Sequence, residues 1–130
     1  MNIILNVLSV ILLGLILYPK LVIKFNKNVI NVSGEQAVNL IKENKDLVII
    51  DVRTKNEYKA GHINGAKSMP VNEIGSRMAE LEKFCGKPIL VHCASGGRSP
   101  KAVRFLLKNK FSPIYHMNHG LRGFSGRLKK

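Results

Sequence analysis

The chain has 130 residues, a formal net charge of +13 and 45% hydrophobic residues. This length gives room for one domain of ordinary size with a short appendage, and no room for a second full domain. Two cysteines, Cys85 and Cys93, are too few for a disulfide framework, which indicates a reducing compartment. No Cys/His cluster has metal-ligand spacing, so we expect neither a metal site nor a cofactor, and we interpret His116 and His119 as surface or loop residues.

The positive charge is concentrated in the later part of the sequence. Glu82 is the last acidic residue, and eleven basic residues follow it: Lys83, Lys87, Arg98, Lys101, Arg104, Lys108, Lys110, Arg122, Arg127, Lys129 and Lys130. Such a surface attracts small anionic substrates, and it also suits an anionic membrane face. No basic stripe interleaved with aromatic residues accompanies the charge, so we expect no nucleic-acid partner.

The N-terminal segment is almost continuously apolar. Residues 3–18 consist mainly of Ile, Leu and Val, and three lysines follow by residue 27. As a helix these residues would span roughly 24 Å. We predict a single transmembrane anchor over residues 1–23 and a juxtamembrane linker over residues 24–32, with the domain that follows on the cytoplasmic side by the positive-inside rule. A buried helix or a cleaved leader is the alternative, because the apolar run is short.

The remaining sequence alternates between strand and helix patterns. Apolar runs predict strands at residues 29–32, 47–52, 66–69, 89–92 and 113–117. Helices are predicted from a capping-box pattern at Ser33 and Gln36, over residues 54–59, and from residue 99. The alternation predicts an α/β domain over residues 33–130 with a mostly parallel sheet, in which ligands bind beyond the carboxyl ends of the strands.

Two further helices are predicted. One carries an apolar stripe with spacings of three and four residues, formed by Val71, Ile74, Met78, Leu81 and Cys85. Because Cys85 continues this stripe, we interpret it as a small buried hydrophobe. The other is a short basic tail helix over residues 120–130.

Cys93 directly follows a predicted strand and opens a loop of small residues. Ser99 and Pro100 fit the N-cap and the first position of the next helix. The N–H groups between the sulfur and this helix can converge on an anion, and we expect positive φ angles at Gly96 and Gly97. A thiol in such a position loses its proton readily, and the thiolate is the reactive species. The sequence therefore predicts Cys93 as a nucleophile.

Three motifs in this order resemble those of rhodanese-like domains. They are Asp51-Val52-Arg53 with Glu57-Tyr58 and Gly61-His62-Ile63-Asn64-Gly65-Ala66, then Cys93-Ala94-Ser95-Gly96-Gly97-Arg98-Ser99, then Gly120-Leu121-Arg122-Gly123-Phe124. The resemblance covers roughly residues 33–130, with Phe124 in place of the usual tryptophan. It implies a five-stranded, mostly parallel sheet flanked by helices, and a single-domain sulfurtransferase whose cysteine carries sulfane sulfur as a persulfide.

The loop residues have expected roles at such a site. Cys93 is the catalytic residue, and its substrate-binding neighbours are Ala94, Ser95, Gly96, Gly97, Arg98 and Ser99. Arg98 either holds the anionic donor or pairs with a carboxylate that stabilises the loop. Three residues of the first motif are supporting, namely Asp51 and Arg53 through capping and ion pairing, and His62 by holding its own turn.

The length of the loop and the residue after Cys93 bear on the reaction. Four residues separate Cys93 from Arg98, whereas related phosphatases have five residues between the cysteine and the arginine. The smaller loop suits a single sulfur atom, so the spacing favours sulfur transfer over phosphoryl transfer. Ala94 stands where many thiosulfate-using members have a basic residue. Thiosulfate, a polysulfide or a thiol persulfide, including a protein persulfide, is therefore the expected donor, and a thiol or cyanide is the expected acceptor. The alternatives are a non-catalytic membrane-tethered module that binds a partner or senses sulfane sulfur, and disulfide exchange with Cys85.

Overall fold

The protein is described by a computed structural model that covers residues 2–130, without the side chains of residues 19–25. Within this part, five strands form one sheet in the order β1-β6-β5-β2-β4. They are β1 (Val29–Val32), β2 (Val48–Asp51), β4 (Lys67–Ser68), β5 (Ile89–His92) and β6 (Ile114–Met117). Every pairing in this sheet is parallel, which confirms the predicted α/β fold with a five-stranded sheet.

Helices and one small second sheet surround the main sheet. The helices are α1 (Asn2–Phe25), α2 (Gly34–Glu43), α3 (Lys55–Ala60), α4 (Met78–Leu81) and α5 (Ser99–Lys108), and 3₁₀ turns cover Glu82–Phe84 and Leu121–Gly123. The second sheet is antiparallel and pairs β3 (His62–Ile63) with β7 (Leu128–Lys129).

The central strands are buried on both faces, as their continuous apolar runs predict. Ile50 and Val91 face a core layer that includes Leu106 of α5, while Ile49 and Leu90 face a second layer. Members of the second layer include Ala37 of α2, Ile63 and Met117. The parallel sheet therefore has apolar packing on both sides, and its strand ends are left for polar groups.

Two helices begin with capping boxes. At α2 the Gln36 N–H donates to Ser33 Oγ at 3.1 Å, and the Ser33 N–H donates to Gln36 Oε1 at 2.8 Å. At α3 the Thr54 and Glu57 side chains make the same reciprocal pair of bonds. The predicted start of α2 is thus confirmed, and α3 begins where its sequence pattern places it.

The predicted helix carrying the stripe from Val71 to Cys85 is wrong over most of its length. Only α4 and a following 3₁₀ turn are helical, and tight three-residue bonds precede them, such as Ser76 N–H to Glu73 O at 3.1 Å. Gly75 and Ser76 are poor helix formers and interrupt the pattern. Cys85 lies beyond the 3₁₀ turn and is exposed, so its interpretation as a buried hydrophobe is also wrong.

The predicted tail helix over residues 120–130 is likewise wrong. Glycines at positions 120, 123 and 126 each disfavour a helix. The segment instead forms the 3₁₀ turn at Leu121–Gly123 and then β7, which returns to pair with β3.

The predicted transmembrane anchor over residues 1–23 is not supported. Residues 2–25 form α1, but among the described residues we find no helix that combines the length and the apolar character needed to cross a membrane. The apolar run of residues 3–18 would extend only about 24 Å against a hydrocarbon core of about 30 Å. Met1, which the prediction included, lies outside the described residues. The strand predicted within the linker is present as β1 and belongs to the main sheet.

The start of α2 packs against the 3₁₀ turn of the C-terminal segment so closely that only glycine fits. A Cβ added to Gly34 would overlap the carbonyl group of Gly123, whereas a Cβ on Gly14 of α1 would meet nothing. We predict that Gly34→Ala lowers the free energy of unfolding by about 1–3 kcal/mol through overpacking. Gly14→Ala, in a helix interior, should be neutral or stabilising by up to about 1 kcal/mol. Urea denaturation of the two variants measures both effects. Equal stabilities would contradict the close contact between Gly34 and Gly123.

Candidate active site

Cys93 lies at the carboxyl end of β5, where parallel α/β sheets bind ligands. The Cys93 loop, residues 93–98, connects β5 to α5. Within it the Gly96 N–H donates to Cys93 Sγ at 3.0 Å, and Gly96 has a φ of +98° that allows the loop to turn back over the sulfur. Cys93 is fully buried, so the sulfur lies under the loop. A positive φ was also expected at Gly97; this expectation is wrong, because the turn needs one such residue.

The surroundings of Cys93 favour its thiolate. Burial alone raises the pKa of the Cys93 thiol, because it disfavours the charged form. Hydrogen bonding outweighs this effect and brings the pKa below its usual value. The Ser99 hydroxyl contributes first, followed by the backbone N–H groups of Arg98, Ser99 and Gly96. The site therefore holds an ionisable sulfur in a ring of donors.

A second segment, the closing loop (residues 118–123), packs against the Cys93 loop. Gly120 has a φ of +70°, and a Cβ added there would overlap the carbonyl group of Ala94. A Cβ on Gly96 would likewise overlap the carbonyl oxygen of Asn118. The two loops therefore meet backbone to backbone, and this contact explains the glycines of both motifs.

Backbone hydrogen bonds join the same two loops. The Leu121 N–H donates to the Cys93 carbonyl at 2.8 Å, and the Arg122 N–H donates to the Ala94 carbonyl at 3.0 Å. These bonds use the carbonyl groups of the Cys93 loop, so that its N–H groups remain directed at the sulfur. Ser95 and Gly97 are exposed on the outer side of the loop, and Ala94 is half-buried.

Arg98 forms a bidentate ion pair with Glu57. The distances are 2.6 Å from Nη1 to Oε1 and 3.0 Å from Nη2 to Oε2. Hydrogen bonding to Arg98 is the main cause that lowers the pKa of Glu57 to about 2. The sequence left two roles open for Arg98, and in the structure its side chain pairs with a carboxylate. The sequence analysis named no partner for this arginine; the spacing of Thr54 and Glu57, which is that of a capping box, is the signal that could have indicated a fixed carboxylate.

Asp51 and Arg53 form a second, buried ion pair at the end of β2. Arg53 Nη2 lies 2.7 Å from Asp51 Oδ2, and the same nitrogen donates to the Gly61 carbonyl at 2.7 Å. His62 follows, with Nδ1 2.9 Å from the Tyr58 carbonyl and its ring stacked on that of Tyr58 at 3.8 Å. These contacts shape the segment that presents Glu57 to the Cys93 loop.

Two buried histidines lie close to Cys93. His92 points toward Asp51, 3.8 Å from its Oδ2, and burial lowers the pKa of His92, which keeps its imidazole neutral. His116 was interpreted as a surface or loop residue, which is wrong. It lies buried in β6, because side chains alternate along a strand and His116 shares its inward face with Ile114. His119 is exposed, as expected.

His116 contacts Cys93 through Ser99. Its Nε2 lies 2.6 Å from Ser99 Oγ, and Ser99 Oγ lies 3.5 Å from Cys93 Sγ. Ser99 was expected to cap α5 but is the first residue of that helix, and Arg98 occupies the cap position. Its hydroxyl is therefore free to bond the sulfur and the imidazole. Strand alternation in residues 114–117 is the signal that could have found His116.

The protein is an α/β protein with a buried, ionisable cysteine. The cysteine lies between a strand of the parallel sheet and the N-terminus of a helix, and backbone N–H groups surround its sulfur. The sequence pattern of the "Rhodanese-like domain" family matches residues 33–127. The chain therefore belongs to the rhodanese-like domain family.

Individual relatives agree with this assignment. The chain is 35% identical over 81 residues to the uncharacterized protein YqhL of Bacillus subtilis, covering 62% of this chain and 63% of YqhL, and thus less than two thirds of that relative. It is 33% identical over 90 residues to the thiosulfate sulfurtransferase GlpE of Pseudoalteromonas translucida, covering 69% of this chain and 83% of GlpE. A rhodanese-like domain protein of Staphylococcus aureus superposes with a TM-score of 0.66 at 28% identity, covering 78% and 96% of the two chains.

The two glycines of the Cys93 loop provide a matched pair of variants. Gly96→Ala introduces a side chain at a φ of +98° that would overlap Asn118, whereas a Cβ on Gly97 meets nothing within 4 Å. We predict that Gly96→Ala raises the pKa of Cys93, because it moves a donor away from the sulfur, and that Gly97→Ala leaves it unchanged. Ultraviolet absorbance of the thiolate across a pH series measures both. A similar pKa in the two variants would contradict the role of the Gly96 N–H.

The Arg98–Glu57 pair makes stability depend on acid. Because folding lowers the pKa of Glu57 from 4.5 to about 2, the pair stabilises the protein fully above pH about 4.5, and this contribution is lost as the pH falls toward 2. Both side chains are about one third exposed, at 37% and 34%, so we expect a contribution of no more than about 1 kcal/mol. Urea denaturation across this pH range should show that the free energy of unfolding falls less steeply with decreasing pH for Glu57→Gln than for the parent protein. Parallel curves would exclude the pair as the cause.

Proposed function

We propose that the protein is a sulfurtransferase that moves sulfane sulfur through a persulfide on Cys93. The observation that supports this most is the small loop around the sulfur, in which Arg98 turns away to Glu57. The inner surface of the loop is then made of N–H groups, such as that of Gly96 at 3.0 Å. Such donors stabilise a thiolate or a persulfide anion in the way that an oxyanion hole stabilises an oxyanion.

The reaction has two steps. The Cys93 thiolate attacks the outer sulfur of a donor such as R–S–S⁻, the S–S bond of the donor breaks, and R–S⁻ leaves with the bonding electron pair. Cys93 then carries the persulfide anion. In the second step an acceptor thiolate or cyanide attacks the terminal sulfur, and the Cys93 thiolate is regenerated. The net result is a double displacement through a covalent intermediate.

The burial of the sulfur and the charge distribution bear on the choice of donor. The buried sulfur restricts the reacting end of the donor to a small group, and the eleven basic residues after Glu82 attract anions. Arg98 is paired with Glu57, and Ala94 brings no charge of its own. We therefore infer that polysulfide, a small thiol persulfide or a protein persulfide serves at least as well as thiosulfate. The relative GlpE is named a thiosulfate sulfurtransferase, so thiosulfate belongs among the donors tested.

Cys93→Ser should abolish sulfur transfer. With thiosulfate or glutathione persulfide as donor and cyanide as acceptor, the full chain should form thiocyanate, and the Cys93→Ser variant should lose this activity to background. Mass spectrometry of the donor-treated protein should show one added sulfur atom on the peptide that contains Cys93.

Cys85→Ser is the matched control, because Cys85 is exposed and lies outside the site. It should retain activity, and a loss would indicate disulfide exchange between the two cysteines. If the parent protein gains no sulfur on Cys93 from any donor, the sulfurtransferase proposal fails, and a non-catalytic module is then the better interpretation.

A further inference from the structure

A chain of polar side chains leads from Cys93 through the buried residues Ser99 and His116 to Asn31, which is exposed on the edge strand β1. Cys93 Sγ lies 3.5 Å from Ser99 Oγ, Ser99 Oγ lies 2.6 Å from His116 Nε2, and His116 Nδ1 lies 3.3 Å from Asn31 Oδ1. Ser99 is fully buried and His116 is 4% exposed, so solvent does not compete for the contacts that join Cys93, Ser99 and His116. Cys93 lies in the loop that follows β5, and the other three residues come from α5, β6 and β1.

We propose that Ser99 and His116 form a proton relay that takes the thiol proton of Cys93 to the buried imidazole of His116. The proposal rests on Cys93 being the reactive thiol of the proposed function. His116 acts through Ser99 and is therefore a positioning residue rather than a catalytic one.

Before transfer, each hydrogen of the chain has an acceptor. The Asn31 side-chain oxygen accepts from His116 Nδ1–H, which fixes the tautomer with a lone pair on Nε2. Nε2 accepts the Ser99 hydroxyl hydrogen, and Ser99 Oγ accepts the thiol hydrogen of Cys93. A thiol, a hydroxyl and a neutral imidazole are thereby all satisfied without water.

After transfer, each hydrogen again has an acceptor. The thiol proton moves from Sγ to Ser99 Oγ as the hydroxyl proton moves from Ser99 Oγ to His116 Nε2. The thiolate then accepts a hydrogen bond from Ser99, whose oxygen accepts from the Nε2–H of the imidazolium. The Nδ1–H of His116 stays on Asn31. When the donor's thiolate leaves, the proton returns along the chain and passes to it, so charge and atoms balance.

The environment of His116 fits this role. Burial lowers its pKa to about 4, so the imidazole is neutral at neutral pH, and it holds the proton only while the negative charge of the nearby thiolate stabilises the imidazolium. The titratable group that faces His116 is Cys93, reached through Ser99 of α5. Its neighbours in register on the adjacent strands, Asn31 of β1 and Val91 of β5, are uncharged. A thiolate and an imidazolium formed together leave this interior with no net charge.

The test follows the ionisation of Cys93 in the full chain. Thiolate absorbance is recorded against pH, and the spectrum of Cys93→Ser is subtracted to remove the contribution of Cys85. His116→Gln keeps a similar size and polar end but removes the base. We expect it to raise the pKa of Cys93 by about one unit, which means about tenfold less thiolate at neutral pH. His119→Gln makes the same chemical change at an exposed position nearby and should leave the profile unchanged.

A double-mutant cycle separates a relay from two independent effects. Ser99→Ala should raise the pKa of Cys93 as well, and adding His116→Gln to it should cause a much smaller rise than in the parent protein, because the hydroxyl that couples the imidazole to the sulfur is missing. Additive shifts would overturn the relay, and so would an unchanged profile in a folded His116→Gln variant. These readouts require no sulfur transfer. If the parent protein transfers no sulfur but His116→Gln still raises the pKa of Cys93, only the proposed function is rejected. If the parent protein is active and His116→Gln leaves the pKa of Cys93 unchanged, only the relay is rejected.

A measurement without substitution covers the case in which His116→Gln does not fold. The nitrogen chemical shifts of His116, recorded by NMR in the parent protein, report its tautomer and charge. Nε2 should lack a proton when Cys93 is a thiol, and its signal should change as Cys93 ionises. A His116 signal that is constant across the ionisation of Cys93 would overturn the relay.

Discussion

The burial of a sulfur whose thiolate form is stabilised is the constraint on which the rest of the site depends. Cys93 has no exposed surface, and burial alone works against its ionisation. Hydrogen-bond donors have to replace water, and the backbone of the Cys93 loop supplies most of them. A loop can turn its N–H groups inward only if other partners satisfy its carbonyl groups. The closing loop provides these partners, and the close approach of the two loops requires glycine at positions 96 and 120.

The charged side chains around this site hold backbone segments in place. Arg98 connects the Cys93 loop to Glu57, whose carboxylate also accepts from Thr54 at the start of α3. The buried pair of Asp51 and Arg53 fixes the segment before α3 and reaches Gly61 after it. A rhodanese-like site is thus assembled here from three stretches of sequence, with ion pairs outside the reacting centre and backbone donors within it.

The sequence predicted those parts of the fold that depend on local chemistry. Residues with a strong local signal behaved as expected, such as the capping box of Ser33 and Gln36 and the apolar runs of β2 and β5. The stripe ending at Cys85 and the tail after Gly120 were mispredicted, because poor helix formers such as Gly75, Gly123 and Gly126 interrupt the helical spacing. For the site, the position of Cys93 follows from the motif. The partners Glu57 and His116 are separated from it by 36 and 23 residues respectively, and only the sheet topology brings them close.

The strand order has a consequence for how the protein is made. β1 is an edge strand whose partner in the sheet is β6, and β6 separates it from β5. During synthesis on the ribosome, β1 therefore has no strand to join until residues 114–117 have emerged. The closing loop emerges later still. A nascent chain that already contains Cys93 thus lacks the backbone contacts that hold the Cys93 loop around the sulfur until the closing loop has emerged.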